Sequence, residues 1–133
     1  MKPVMLCIMD GFGCRDDARA NAIDTARDEG NHRAELALAS FHYAVKKLIG
    51  SYAAAMGGVD AVIFTAGVGE NGAGDRAAIT SGLEFMGIKL DAEKNKVRGE
   101  EIDISAEGAT VRTLIIPTNE ELMIAKDTAA IVG

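Results

Sequence analysis

The chain has 133 residues, 48% of them hydrophobic, which suits one compact domain with a buried core. With aromatics at 5% and no Trp, that core reads as aliphatic and alanine-rich, as where helices lie on a parallel sheet, and not as a β-sandwich. A net charge of −6 without clustered Lys and Arg argues against a nucleic-acid partner, and two cysteines, Cys7 and Cys14, are too few for a disulfide scaffold or a zinc site. A reducing, cytoplasmic setting fits such a chain, and no segment reads as a signal peptide or a membrane span.

Val4 to Met9 is a short apolar run closed by Asp10-Gly11, which predicts a strand buried on both faces and ending in a turn. Asp10 at such a strand end has two readings, a metal ligand at a ligand-binding sheet edge or a turn-forming Asp before Gly. Asp16 to Glu29 is charged and carries only a thin apolar stripe, Ala22, Ile23 and Ala26, so a short and modest helix is expected. Asn31 to about Met56 predicts a long helix, with Asn31 as N-cap and Gly57-Gly58 as the stop. Leu38, Phe41, Val45, Leu48 and Tyr52 recur there at alternating steps of three and four and form its apolar face. His32 and His42 lie on this helix with no convergent ligands nearby in sequence, so they read as structural or solvated.

The stretch Asp60 to Gly72 reads as strand, glycine-rich turn, helix. Val62, Ile63 and Phe64 are strand formers, and Gly67 and Gly69 would permit unusual backbone angles and close approach of a ligand. Unpaired amides at such a switch attract nucleosides and phosphates. A helix from about Asp75 to Met86 follows, presenting Ile79, Leu83 and Met86 and ending at Gly87. Ile88 to Leu90 and Ile102 to Ile104 alternate like short strands, while Asp91 to Glu101 reads as an exposed loop. Val111 to Ile116 is the second clear strand, stopped by Pro117. Thr118 or Asn119 caps a final helix whose apolar residues are Leu122, Ile124, Ala125 and Ala129. Two strands feeding helices through polar turns put Gly67 to Asn71 and Thr118 to Glu120 at one sheet edge. Glu120 there reads either as a carboxylate favoured by the helix start or as a ligand for Mg²⁺, which takes one or two carboxylates with waters and phosphates.

Phe64-Thr65-Ala66-Gly67-Val68-Gly69-Glu70-Asn71, with Arg76 after it, resembles the adenosine-binding segment of acetate kinases. Ile115-Ile116-Pro117-Thr118-Asn119-Glu120-Glu121 resembles their C-terminal metal segment. Gly30-Asn31, Tyr52 to Asp60 and Glu93 to Gly99 agree with the last third of that family, so the resemblance runs from about residue 30 to the end. It implies an α/β fold, a partial actin-like (ribonuclease-H-type) domain with a small, mostly parallel sheet and flanking helices. The implied activity is reversible phosphoryl transfer from ATP to acetate, giving acetyl phosphate.

By the same resemblance the nucleotide contacts would be Gly67, Val68, Gly69, Glu70 and Asn71. Asp17-Ala18-Arg19 would serve as the family's Asp-x-Arg nucleotide segment, and Glu120 would hold Mg²⁺. The cofactors implied are ATP or ADP and Mg²⁺, and the partners an adenine nucleotide, a complementary amino-terminal kinase domain and a second copy of the chain. The family's acetate-binding and transition-state residues belong to that amino-terminal domain, so no catalytic residue is expected here and little activity from the chain alone. Residues 1–28 stand apart as a leader that resembles the amino terminus of cofactor-independent phosphoglycerate mutases, where the residue matching Asp10 is a metal ligand; residues 29–133 are the kinase-like domain. A strand at Val4 to Met9 lying beside Ala61 to Thr65 would complete a small sheet. Propionate or butyrate kinase, or a dimerising module without catalysis, are the alternatives.

Overall fold

The computed structural model describes residues 3–8 and 32–132, without the side chains of Ile8 and Glu120. Four strands form one sheet in the order β1-β2-β4-β3: β1 (Val4–Ile8), β2 (Ala61–Thr65), β3 (Ile102–Asp103) and β4 (Arg112–Ile115). β1, β2 and β4 run parallel, with Cys7 opposite Phe64 and Phe64 opposite Ile115, and β3 closes the far edge antiparallel to β4. The expected pairing of the leader strand with Ala61 to Thr65 is therefore present, residue for residue from Val4 on Ala61 to Ile8 on Thr65.

Period-two alternation decides what each face of the sheet meets. Met5, Cys7, Val62, Phe64, Thr113 and Ile115 share one face, and on β2 Val62 and Phe64 are fully buried. Helices cover that face: α1 (His32–Met56) contributes Ile49 and Ala53, and α3 (Ala73–Thr80) contributes Ile79 to one core cluster. Burial also pushes the Cys7 thiol up to about 11, so it is protonated and unreactive near neutrality. On the other face Val4 is 51% and Leu6 58% exposed, and Ile63 and Leu114 are half-buried. Ala61 and Thr65 on this side are buried, so its open part lies at the β1 edge.

The long helix begins and ends close to expectation. Gly57 and Gly58 stop it at φ +73 and +135, with the Gly58 amide donating to the Ala53 carbonyl in a Schellman-type closure. Its apolar face departs from the expected one. Leu38, Phe41 and Val45 pack on the core, but the face continues through Ile49 and Ala53, while Leu48 and Tyr52 are more than half exposed. Alternating three and four steps follow a supercoiled seam, whereas a single helix on a sheet continued here in steps of four.

The expected helix from Asp75 to Met86 is also corrected. α3 stops at Thr80, whose hydroxyl donates back to the Arg76 carbonyl at 2.8 Å, and Gly82 turns the chain at φ +83 into a short 3-10 turn, Glu84–Met86. Ile79 and Leu83 are still buried and Met86 still packs on the core, so the apolar spacing survived the break. Ile88 and Leu90 make single bridges, to Val111 and Ser105, in place of a strand. The final helix, α4 (Glu120–Val132), starts where expected, and Asn119 is its cap: Asn119 Oδ1 accepts from the Leu122 amide at 3.1 Å.

Candidate functional site

The parallel strands β2 and β4 end at the same edge, and each hands over there to a helix. At the end of β2 the chain does not loop. Thr65 is still extended, Ala66 turns into the left-handed region at φ +60, and α2 (Ala66–Asn71) begins at once. The glycine-rich stretch expected to be a turn is thus a six-residue helix. The strained backbone position belongs to Ala66, neither Gly67 nor Gly69 having positive φ. A left-handed Ala costs of order 1 kcal/mol and is kept only where neighbours fix it.

Glu70 supplies that fixing. Its Oε1 accepts from the Ala66 amide at 2.9 Å, and also from the Thr118 amide at 2.8 Å and the Thr118 hydroxyl at 3.2 Å. One carboxylate oxygen therefore joins the start of α2 to the segment after β4, bringing the two sequence-predicted loops together. Asn71 closes the helix by donating from Nδ2 to the Gly67 carbonyl at 3.0 Å. Gly67, Glu70 and Asn71 are half-buried; Gly69 is buried, and the Val68 side chain is fully inside the core cluster. Val68 therefore backs the site from the core side.

Behind α2 lies the fully buried side chain of Arg76, and all five of its N–H protons are used. Nε donates to Asn95 Oδ1 at 2.8 Å; Nη1 donates to the Gly69 and Glu70 carbonyls at 2.8 and 2.9 Å; Nη2 donates to the Asn95 and Val97 carbonyls at 2.7 and 3.0 Å. Burial lowers this guanidinium to about 10, against the opposing pull of neighbouring Asp75, and it stays cationic at neutral pH. Asn95 also donates from Nδ2 to the Ala73 carbonyl at 2.8 Å. The segment expected to be an exposed loop thus contains a buried anchor. Sequence reading missed Asn95 because its partners lie nineteen and twenty-two residues away. His42, read as structural or solvated, is structural: its Nε2 lies 2.7 Å from Asp75 Oδ1, linking α1 to α3 in a nearly buried pair.

Asp10, the segment Asp17-Ala18-Arg19 and the helix cap Asn31 lie outside the described residues. Glu120 is the first residue of α4, at the same sheet edge as α2, and its side chain lies outside the description. Among the described residues no three His, Cys, Asp or Glu converge as a metal-binding cluster. A cleft of about 450 Å³ runs along the outer side of α3, lined by Ala73, Ala77, Ser81 and Leu90 among others, away from Glu70 and Thr118. Of its polar members Thr80 and Asn95 donate to protein carbonyls, Glu84 accepts from the Gly82 amide, and Ser81 completes the set. Among the described residues no helix is long and apolar enough to cross a membrane.

Comparison with known proteins gives a consistent result. The family model described as "Acetokinase family" matches residues 9–126, beginning inside the segment that sequence reading set apart as a leader. An acetate kinase of Desulfitobacterium hafniense (strain DSM 10664 / DCB-2) is 64% identical over 110 residues, covering 83% of this chain and 28% of the relative. Among solved structures, that of Porphyromonas gingivalis acetate kinase superposes with a TM-score of 0.75 at 46% identity, covering 88% of this chain and 29% of that one. A propionate kinase from Francisella tularensis subsp. tularensis SCHU S4 gives 0.67 at 36% identity, over 77% and 26%. The fold expectation, a partial acetate and sugar kinase domain with a small mostly parallel sheet and flanking helices, agrees with these neighbours. The chain spans 28% of the length of the curated relatives it matches.

Proposed function

Because the chain belongs to the acetokinase family, we propose that it is the C-terminal, nucleotide-side part of an acetate kinase, which moves phosphoryl reversibly between ATP and acetate to give acetyl phosphate. The observation that carries this reading is the meeting, at one sheet edge, of the α2 segment and the Thr118 segment, within a chain 64% identical to an acetate kinase. Gly67 and Asn71, half-buried at that edge, contact the adenosine in this proposal, Val68 and Gly69 form its backing, and Asp17, Ala18 and Arg19 add a second nucleotide contact.

The donor set is compatible with Mg²⁺ in kind. Glu120, a hard carboxylate residue at the start of α4, suits an ion that takes one or two carboxylates and completes its shell with waters and phosphates. Mg²⁺, when bound, neutralises phosphate charge during phosphoryl transfer. This chain's own residues then bind and orient the nucleotide: Asn71 by its amide, α2 by a backbone that Glu70 and Arg76 hold rigid.

Phosphoryl transfer needs positioning and charge on both sides of the moving group, so a complementary amino-terminal kinase domain is part of the proposal. The sheet face bearing Val4, Leu6, Ile63 and Leu114 supports it, since parallel sheets are ordinarily covered on both sides. Little or no kinase activity is expected from the chain alone. A cytoplasmic location and a homodimer complete the reading, the second supported by exposed Leu36, Tyr43, Leu48 and Tyr52 on α1.

Calorimetric titration of the chain with Mg-ADP tests the nucleotide site. Saturable binding that weakens at least about fivefold in Asn71→Ala, the loss of roughly one hydrogen bond, supports it. No binding at millimolar Mg-ADP, together with a dimer in sedimentation, would favour a dimerising module without a nucleotide site. Propionate kinase is the second reading, kept because of the Francisella tularensis likeness. Acetate is named first because the family model and the curated relatives are acetate kinases; selection of the acyl acid belongs to the amino-terminal domain.

A further inference from the structure

The sequence groups Glu70 with the nucleotide contacts, yet its carboxylate is already committed to the protein. Oε1 takes two backbone amides, from Ala66 and Thr118, and the Thr118 hydroxyl. The Glu70 backbone is committed as well: its carbonyl accepts from Arg76 Nη1 at 2.9 Å and from the Gly99 amide at 3.3 Å. Four segments therefore meet at this residue, and two of them are the halves of the proposed site. The Ala66 contact holds the one described non-glycine residue with positive φ, where the chain turns from β2 into α2. Thr118 is two residues before Glu120, at the start of α4.

We infer that Glu70 is a positioning residue whose carboxylate fixes the distance between the adenosine segment and the metal-side helix start, and thereby couples nucleotide binding to Mg²⁺ binding. This rests on the nucleotide-side reading proposed above. A charged acceptor shared by two amides is stronger than a neutral one and has a defined direction, so it suits holding two loops in register. Without it Pro117 to Asn119 lead from β4 to α4 with no side-chain tie to α2 among the described residues, and the start of α4 is no longer held relative to Gly67 and Asn71. Nucleotide and metal would still meet through the phosphates, but the protein's own share of their coupling would be lost, since that share requires each to favour the same arrangement.

Two measurements on the full chain separate the clamp from the reading beneath it. The first is amide hydrogen exchange of Ala66 and Thr118 with no ligand present. Exchange about tenfold faster in Glu70→Ala and within about threefold of wild type in Glu70→Gln, which keeps an acceptor oxygen, is the expected result. Unchanged protection of both amides in Glu70→Ala would overturn the clamp. The second is titration with ADP, with and without Mg²⁺. Glu70→Ala is expected to bind ADP alone more weakly, because α2 is loosened, and in addition to lose most of the gain that Mg²⁺ gives wild type, while Glu70→Gln keeps both.

Equal loss of ADP affinity in Ala and Gln variants, with or without Mg²⁺, would make Glu70 a direct nucleotide ligand and overturn the inference. So would a full Mg²⁺ gain in Glu70→Ala. If wild type binds neither ADP nor Mg-ADP, the nucleotide reading fails and the coupling with it, while the exchange data still decide the clamp.

Discussion

Replacing Arg76 gives the sharpest test of how this site is built. Its guanidinium serves five acceptors: the Gly69, Glu70, Asn95 and Val97 carbonyls and Asn95 Oδ1. Among the described residues the Glu70 carbonyl also accepts from the Gly99 amide. Lysine offers three protons from one tetrahedral nitrogen and cannot span a planar fork, so Arg76→Lys leaves about two buried carbonyl oxygens without a partner. At roughly 1–2 kcal/mol each the expected loss is about 3 kcal/mol, a large part of the 5–15 kcal/mol typical of a domain. Burial already works against this residue. Its value is lowered from the ordinary arginine range to about 10, so the stability linked to its titration is full only above that ordinary range and is lost as pH falls through 10. At pH 7 the charge is buried at a cost that the five hydrogen bonds and Asp75 must offset. Urea unfolding followed by far-UV circular dichroism should show the midpoint falling about 2 M at unchanged slope, for a slope near 1.5 kcal/mol per M. Asn95→Ala should cost much less in an Arg76→Met background than in wild type, because the network is then already open. A midpoint for Arg76→Lys within about 0.3 M of wild type would refute this account.

Other positions give independent checks. Thr113 is fully buried under the helices, and its hydroxyl has no hydrogen-bond partner among the described residues, so Thr113→Val should stabilise by about 1 kcal/mol and raise the melting temperature by roughly 3 °C. Gly87 sits at φ +88, and a Cβ there would run into Thr110 Oγ1; Gly87→Ala should cost about 1–3 kcal/mol in the same unfolding assay. Partial burial alone would raise the Asp103 carboxyl, but hydrogen bonds from Ser105 and Arg112 hold it below the ordinary 3.8. Its stabilisation is therefore present above pH 3.8 and lost as pH falls below it, and Asp103→Asn should flatten the acid limb of stability against pH.

What the sequence made legible was what local pattern controls. Val62 to Phe64 and Arg112 to Ile115 are strands because a run of β-branched and aromatic residues bounded by Gly or Pro has few other uses. α1 runs to Met56 because two glycines follow it. What remained hidden depends on partners far along the chain. Asn95 looked like a loop residue because its neighbours in sequence are charged, and nothing local shows that Arg76 reaches it. His42 and Asp75 are thirty-three residues apart, and Leu48 and Tyr52 could be excluded from the core only once the sheet fixed which side of α1 faces inward.

The α2 segment shows how these two kinds of information combine. Six residues with three of Ala or Gly at their start and an Asn at their end do not make a helix in water, where a nucleus of one turn is unfavourable. Two charges fix it in place, and each sits where the backbone dipole favours it. The Glu70 carboxylate lies at the amino end, on the Ala66 amide, and the Arg76 guanidinium lies at the carboxyl end, on the Gly69 and Glu70 carbonyls. Both charges are also tied elsewhere, Glu70 to Thr118 and Arg76 to Asn95 and Val97. The helix is therefore stabilised by the same contacts that assemble the sheet edge around it. Either charge removed alone should disorder α2 before it unfolds the sheet, since Val62 and Phe64 keep Ile49, Ala53 and Ile79 in their cluster even where Val68 is loosened. Local exchange at Ala66 and Gly69 rising in Glu70→Ala, with Phe64 protection intact, is the pattern this reasoning requires.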